Sequence, residues 1–122
     1  MSKIQNLDQK RAFNAITAQG KWEGVNDGEV VKKIPALIRE NGLLGAAAFA
    51  LEKKGGHEDV FNAIIRHLAD PDIHKIEKAI PLQAFILKTA EMDSSGLRAI
   101  TSESMAFLNY LRRFAKKNSG GE

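Results

Sequence analysis

Few residues of this sequence could bind a metal ion or act in catalysis. The three histidines are His57, His67 and His74. Asp70 and Asp72 lie between the last two, and imidazole with carboxylate is a ligand set for zinc. Pro71 interrupts this segment, however, and carboxylates beside a helix end commonly cap it. We therefore expect no metal ion and no cofactor.

Groups that would make an enzyme are also missing. The chain has no cysteine, which excludes disulfides, thiolate metal ligands and cysteine nucleophiles and fits a reducing cytoplasm. The serines beside Glu103 lack the Gly-x-Ser-x-Gly elbow of a hydrolase. Gly55-Gly56 lacks the Lys-Ser/Thr of a phosphate-binding loop. The sequence predicts a cytoplasmic protein that is not an enzyme.

Basic residues near the C-terminus have the clearest spacing. On one side of a helix the sequence places Arg98, Ser102, Asn109, Arg112, Arg113 and Lys116, spread over roughly 100°. This basic ridge is about 27 Å long by helix rise, and no acidic residue interrupts it. The basic ridge is either a polar face that keeps the helix soluble or a surface that contacts a row of nucleic-acid phosphates. Lys32, Lys33 and Arg39, in the other basic part of the chain, are expected to add to the same surface.

An apolar stripe adjoins the ridge on the same helix. It consists of Leu97, Ile100, Ser104, Leu108, Leu111 and Ala115, with Phe107 and Phe114 at one edge. Burying each large side chain is worth about 1.5–3 kcal/mol. We expect Phe107, Leu108, Leu111 and Phe114 to be largely buried.

The sequence predicts that all the elements that position these residues are helices. Helical spacing and stop signals predict helices over about 8–19, 30–41, 43–54, 58–68, 82–91 and 94–117. Phe13 and Ile16 are available for burial in the first, and Pro35 predicts a kink or short break in the second. Strand signals are weak. The sequence thus predicts a compact, single-domain all-α bundle of about six helices over residues 1–117, with a long C-terminal helix and a frayed tail at 118–122.

Charge is unevenly distributed along the 122 residues. Residues 1–56 carry nine basic and six acidic side chains, residues 57–96 four and seven, and residues 97–122 five and two, which gives +3, −3 and +3. If the fold brings the two basic ends together, they form one basic patch. No apolar run reaches the roughly 20 residues of a membrane span, and the N-terminal stretch lacks the apolar core of a secretory signal. We expect no membrane contact.

Three stretches resemble a known family. They are QKRAF (9–13), VVKKIPALIRENGLLGAAAFALEKK (30–54) and MDSSGLRAITSESMAFLNYLRRFAKK (92–117). Their order and motifs resemble the small α-helical subunit of the type III-B CRISPR Cmr RNA-silencing complex, the fifth Cmr subunit family. Tyr110 stands where that family has tryptophan, and Leu97 where it often has tyrosine.

The resemblance implies a non-catalytic subunit for antiviral defence. Copies of such subunits stack into a minor filament beside the crRNA-bearing backbone, help hold target RNA against the crRNA, and contact the backbone and large subunits. The basic residues would then contact the backbone of the crRNA–target RNA duplex.

Two other classes remain open from the residues. A helical protein–protein adaptor would have no nucleic-acid contact, and salt-dependent RNA binding distinguishes it. A helix-turn-helix DNA binder fits less well, because the terminal helix has few base-reading Asn or Gln side chains. Trp22 and Tyr110 could stack on bases, although Trp22 is expected to pack at the end of the bundle.

Overall fold

The computed structural model describes residues 6–21 and 28–119, with side chains over 6–18 and 29–114. Five helices make up this part of the chain, and no strand occurs in it. They are α1 (Leu7–Lys21), α2 (Gly28–Lys53), α3 (Gly56–Ala69), α4 (Leu82–Ala90) and α5 (Ser94–Ser119). The all-α class is confirmed. The count of about six is slightly off, because the predicted helices 30–41 and 43–54 are two segments of α2.

Gly42 interrupts α2 where the sequence placed the end of a helix. Its backbone angles, φ 79° and ψ 165°, lie in a region that only glycine adopts readily. Pro35 lies inside the first segment, and the helix continues through it. The expected break at Pro35 is therefore wrong, whereas the interruption at Gly42 falls between the two predicted helices 30–41 and 43–54.

The long helix α5 begins at a side-chain cap. The backbone N–H of Gly96 donates to Asp93 Oδ1 at 2.7 Å, which satisfies a donor of the first turn. In the linker between α3 and α4, Asp70 organises the turn, since Asp70 Oδ1 accepts from the backbone N–H of Asp72 at 2.8 Å. α5 extends to Ser119, two residues beyond the predicted end, and residues 120–122 lie outside the described residues.

The core follows the predicted stripe of α5 closely. Ile100, Phe107, Leu108 and Leu111 are buried, whereas Phe114 is only half-buried. The side chain of Ala115 lies outside the described residues. Against this stripe pack α1, α2 and α3. Their buried apolar residues include Val31, Ile34, Ile38, Val60, Phe61, Ile64 and Leu68.

The helix α1 buries a different side from the one predicted. Ala15 and Ala18 are buried, while Phe13 and Ile16 are 59% and 57% exposed. Small side chains bring α1 close to the bundle, and polar residues, described below, complete the contact. The expectation that Phe13 and Ile16 enter the core is wrong.

By length and composition alone, α2 could cross a membrane. Its buried residues Val31, Ile34 and Ile38 belong to the same core as the apolar side chains of α3 and α5. Arg39 and Glu40 lie exposed near its middle, next to the interruption at Gly42. These features are those of a core helix in a bundle.

Candidate nucleic-acid interface

A groove between α2 and α5 brings basic residues from both ends of the chain together. Its volume is about 550 Å³. It is lined by Lys32, Pro35, Arg39, Met105, Ala106, Asn109 and Arg112. We call this the basic groove. Among the described residues that line it, there is no carboxylate.

Helical spacing explains why these residues share the groove. Lys32, Pro35 and Arg39 recur at intervals of three and four along α2, which places them on one side of that helix. Asn109 and Arg112 recur in the same way on α5. Because α2 and α5 pack against each other through their apolar sides, the neighbouring polar sides meet along a shared edge.

The basic groups of the groove are open to solvent. Lys32 and Arg39 are exposed and Arg112 is half-buried. The one internal hydrogen bond among them is long, with Arg112 Nη2 donating to Asn109 Oδ1 at 3.4 Å. The guanidinium of Arg112 therefore keeps most of its five N–H donors for another partner.

The remaining predicted site residues lie elsewhere. Lys33 lines a separate cleft on another side of α2, so it does not join Lys32 and Arg39. Arg98 and Arg113 are exposed on α5 but do not line the basic groove. The side chain of Lys116 lies outside the described residues. Of the seven basic residues predicted, the structure brings together Lys32, Arg39 and Arg112.

The structure also contains a buried ionic cluster that sequence reasoning missed. Glu103 of α5 is only 5% exposed. Arg11 of α1 donates to both of its oxygens at 2.8 Å, in a bidentate arrangement. His67 Nε2 of α3 lies 2.8 Å from Glu103 Oε2. One carboxylate thus joins three helices.

Asn14 fixes the state of the His67 ring. Its Nδ2 lies 2.9 Å from His67 Nδ1 and donates to Asp70 Oδ2 at 3.1 Å. An amide nitrogen has two donors, so Nδ1 of His67 accepts and Nε2 carries the proton that is donated to Glu103. The ring also stacks on Phe107, with centroids 4.4 Å apart. This arrangement holds His67 as a neutral imidazole.

The pKa values of the cluster agree with this geometry. Burial lowers the pKa of His67, and the nearby Glu103 offsets that effect only in part. Burial alone would raise the pKa of Glu103, but hydrogen bonds from Arg11 and His67 hold it below its usual range. The hydrogen bond to Glu103 raises the pKa of Arg11. Both members of the Arg11–Glu103 pair therefore stay charged across the physiological range.

The groups that suggested a metal site are separated in the fold. His67 is sealed in the core, whereas His74 is exposed beside the start of α5. Over residues 6–21 and 28–119, no group of three or more His, Asp or Glu side chains could hold a metal ion. Trp22 lies outside the described residues. Tyr110 is half-buried, with its ring 6.4 Å from that of Phe114.

Comparison with known proteins identifies the family. No curated protein and no solved structure matches the chain. The model of one family, described as CRISPR-associated protein (Cas_Cmr5), matches residues 5–118, which includes α1 to α4 and all but the last residue of α5. Membership implies association with other subunits of a CRISPR complex. The chain therefore belongs to the CRISPR-associated protein (Cas_Cmr5) family, the small-subunit family that its sequence motifs resemble.

Proposed function

We propose that this protein is a non-catalytic small subunit of a type III-B CRISPR (Cmr) effector complex that acts in the cytoplasm in antiviral defence. Copies of it form a minor filament that helps hold target RNA against the crRNA. Family membership supports the assignment to such a complex. The absence of catalysis is supported by the sealed cluster, since the side chains of His67 and Glu103 are 0% and 4% exposed and cannot reach a substrate.

The observation that carries the RNA-holding role is the basic groove. It joins Lys32 and Arg39 to Arg112, which lies 80 residues away from Lys32 in sequence. A guanidinium binds phosphate through paired N–H donors, and an ammonium binds it as a point charge. Because the groove contains no carboxylate among its described lining residues, the local field favours a polyanion.

The groove is suited to a nucleic-acid backbone rather than to bases. Asn109 is its one amide side chain, and Arg112 already donates to it. Reading a base edge needs such amides or bidentate arginines inserted in a groove, whereas phosphate contacts only position the nucleic acid. Sequence specificity then comes from pairing between the crRNA and its target, as in other RNA-guided systems.

Arg98 extends the same surface along α5. Eleven residues separate it from Asn109, which on a helix brings the two within about 20° of each other. It is exposed, and it lies about 21 Å before Arg112 by helix rise. An RNA backbone bound in the basic groove would therefore contact Arg98 as well.

Charge reversal of the groove tests this proposal. In a reconstituted Cmr complex, the variant Lys32→Glu/Arg39→Glu/Arg112→Glu should retain target RNA more weakly than wild type. Loss of three phosphate contacts should also reduce the slope of log affinity against log salt by about 2, at roughly 0.7 for each contact on single strands. Retention is measured by filter binding over a range of salt concentrations.

A matched control removes the effect of net charge. Lys75, Lys78 and Lys88 are exposed and lie outside the groove, so reversing all three changes the charge of the protein equally. We expect this variant to retain target RNA with nearly the wild-type salt slope. If the two triple variants behave alike, or if neither alters retention, the groove does not contact RNA and the protein is an adaptor held by protein contacts.

A further inference from the structure

The helix α1 contributes no large apolar side chain to the core over residues 7–18. Ala15 and Ala18 are its buried residues there, whereas its larger apolar side chains Leu7, Phe13 and Ile16 are exposed. Each large side chain that another helix buries is worth about 1.5–3 kcal/mol, and an alanine supplies far less. The docking of α1 on the bundle therefore depends on its polar contacts.

The polar contacts of α1 converge on the ring of His67. On one side of the ring, Arg11 donates to both oxygens of Glu103, the carboxylate that also accepts from His67 Nε2. On the other side, Asn14 Nδ2 lies 2.9 Å from His67 Nδ1. The same amide nitrogen donates to Asp70 Oδ2 at 3.1 Å. One imidazole thus lies between these two attachments of α1.

The attachment through Asn14 requires a neutral ring. Its amide nitrogen presents one N–H to His67 Nδ1 and the other to Asp70. Protonation of the ring turns Nδ1 into a donor, so two donors then face each other. Rotating the amide by half a turn does not restore the contact, because it places Oδ1 of Asn14 against the Asp70 carboxylate. A proton on His67 therefore breaks this link between α1 and α3.

The attachment through Arg11 weakens for a different reason. Arg11 Nε and His67 Nε2 share a single acceptor, Oε2 of Glu103, each at 2.8 Å. When the ring carries a charge, two cations compete for this oxygen and repel each other in a site that water does not screen. One proton thus acts on both attachments of α1.

The charged groups around the imidazole determine when it takes up that proton. Glu103 of α5 and Asp70 at the end of α3 favour the protonated ring, and Arg11 of α1 opposes it. Lys10 of α1 lies 3.3 and 3.4 Å from the carboxylates of Asp70 and Asp72, which weakens their pull on the ring. Burial outweighs the carboxylates and lowers the pKa of the imidazole. The ring is therefore neutral above about pH 6.5.

We propose that α1 is a detachable helix, which is docked on the bundle while His67 is neutral and leaves it as a unit when His67 is protonated. The helices α2, α3 and α5 stay packed through large side chains of their own, such as Ile34, Phe61 and Leu108, which are fully buried. A local opening of this kind costs less free energy than global unfolding. The basic groove lies between α2 and α5, so the inference is independent of the RNA proposal.

Cysteine accessibility tests this inference, because the chain has no cysteine of its own. Ala18 is 4% exposed, so the thiol of Ala18→Cys should react with dithiodipyridine only when α1 leaves the bundle. Thr17→Cys places a thiol on the exposed side of the same helix and gives the unprotected rate. The ratio of the two rates at each pH is a protection factor, from which the ionisation of the thiol itself cancels.

A buried thiol away from α1 reports the opening of the remaining bundle. Thr89 is 1% exposed on α4, which packs on α2 and α3, and its replacement by cysteine nearly preserves its volume. Between pH 7.5 and 5.5, the protection factor of Ala18→Cys should fall by about tenfold, as expected of one group whose pKa is lowered by docking. The protection of Thr89→Cys, relative to the same exposed reference, should change little.

Two further variants show whether His67 controls the opening. With His67→Gln added, the protection of Ala18→Cys should no longer depend on pH in this range, because the titrating ring is gone. Asn14→Ala changes a residue that is only half-buried and leaves His67 in place. It removes the amide that opposes the protonated ring, so protection should be lower at pH 7.5 and should fall less on acidification.

Three results would overturn the proposal. Equal losses of protection in Ala18→Cys and Thr89→Cys would show that acid opens the whole bundle and that α1 is not a separate unit. Constant protection in Ala18→Cys down to pH 5.5 would show that the proton does not release α1. A full tenfold loss that persists in both His67→Gln and Asn14→Ala would assign the opening to another titrating group.

Discussion

Glu103 is the residue at which three helices of the bundle meet. It accepts two hydrogen bonds from Arg11 and one from His67, and its side chain is 4% exposed. A buried carboxylate is tolerated only when its partners satisfy it, because desolvation of an unpaired charge is costly. The Arg11–Glu103 pair therefore determines the position of α1 on α3 and α5. Its net contribution to the free energy of unfolding is small.

A double-mutant cycle should reveal this dependence. Arg11→Met leaves Glu103 charged and buried, and should reduce the free energy of unfolding by about 3 kcal/mol. In Arg11→Met/Glu103→Gln the charge is gone and the amide oxygen can still accept from His67, so most of the loss should be recovered. Urea unfolding of the four proteins gives the coupling energy. Additive losses would show that the two side chains do not act as a pair.

The same cluster predicts acid sensitivity. Burial lowers the pKa of His67, so below about pH 6.5 the unfolded chain binds a proton that the folded protein resists. Stability should therefore fall as the pH falls below about 6.5. The lowered pKa of Glu103 adds a second loss below its ordinary value of 4.5, since its contribution disappears as the pH falls through the folded pKa.

Separate replacement of His67 and of His74 distinguishes the first loss of stability from general effects of acid. His67→Gln should flatten the dependence of melting temperature on pH between about 6.5 and 5, although its stability at pH 8 will be lower. His74→Gln, at an exposed site outside the cluster, is the control and should keep the wild-type profile. Identical profiles for the two variants would mean that His67 does not carry the effect.

At the scale of elements, the sequence predicted where helices begin and end better than which side each one buries. The end of a helix before Gly42, the start of α5 near Ser94 and the apolar stripe of α5 were predicted because backbone freedom, capping and periodicity are local properties. The burial of Ala15 in place of Phe13 was not predicted, because it depends on the pairing of Arg11 with Glu103, which lies 92 residues away in sequence. Likewise Lys32 and Lys33 are neighbours in sequence but line different cavities.

The kink inside α2 depends on one backbone position. A Cβ at Gly42 would meet nothing within 4 Å, so an alanine there is opposed by the backbone angles alone. Gly42→Ala should destabilise the protein by about 1–3 kcal/mol, the typical cost of such a conformation for other residues. Thermal unfolding measures the change, with Asn41→Ala at the exposed neighbouring position as the control. Equal stability of the two variants would mean that the kink in α2 does not need the backbone angles seen at Gly42.

At the scale of the molecule, folding brings together charged residues that lie far apart in the sequence. The acidic middle of the chain supplies Asp70, whose pKa stays low although burial would raise it, because the backbone N–H of Asp72, Asn14 and Lys10 stabilise its charge. The basic ends supply Lys32, Arg39 and Arg112 to one groove. The fold thus brings together these three residues of the two basic ends. Their pairing could not be read from sequence, since it depends on the packing of α2 against α5.

The accessible surface bears on how the free protein behaves. It measures 7161 Å², close to the roughly 6,500 Å² expected of a compact monomer of this mass. Over residues 6–18 and 29–114, five large apolar side chains are exposed, namely Leu7, Phe13, Ile16, Phe49 and Leu87. A subunit with an obligate partner would expose a larger and more continuous apolar area.

We therefore expect the purified protein to be a monomer that associates weakly at micromolar concentration. Sedimentation velocity should show a modest rise in apparent mass with concentration, because the exposed side chains of Phe13 and Ile16 offer only a small apolar area for association. Phe13→Ser/Ile16→Ser should remove the rise, whereas Leu87→Ser, equally exposed on α4, should leave it. A tight dimer that persists on dilution would contradict both the weak contact and the open filament, since a closed dimer would occupy the surfaces that the next copy needs.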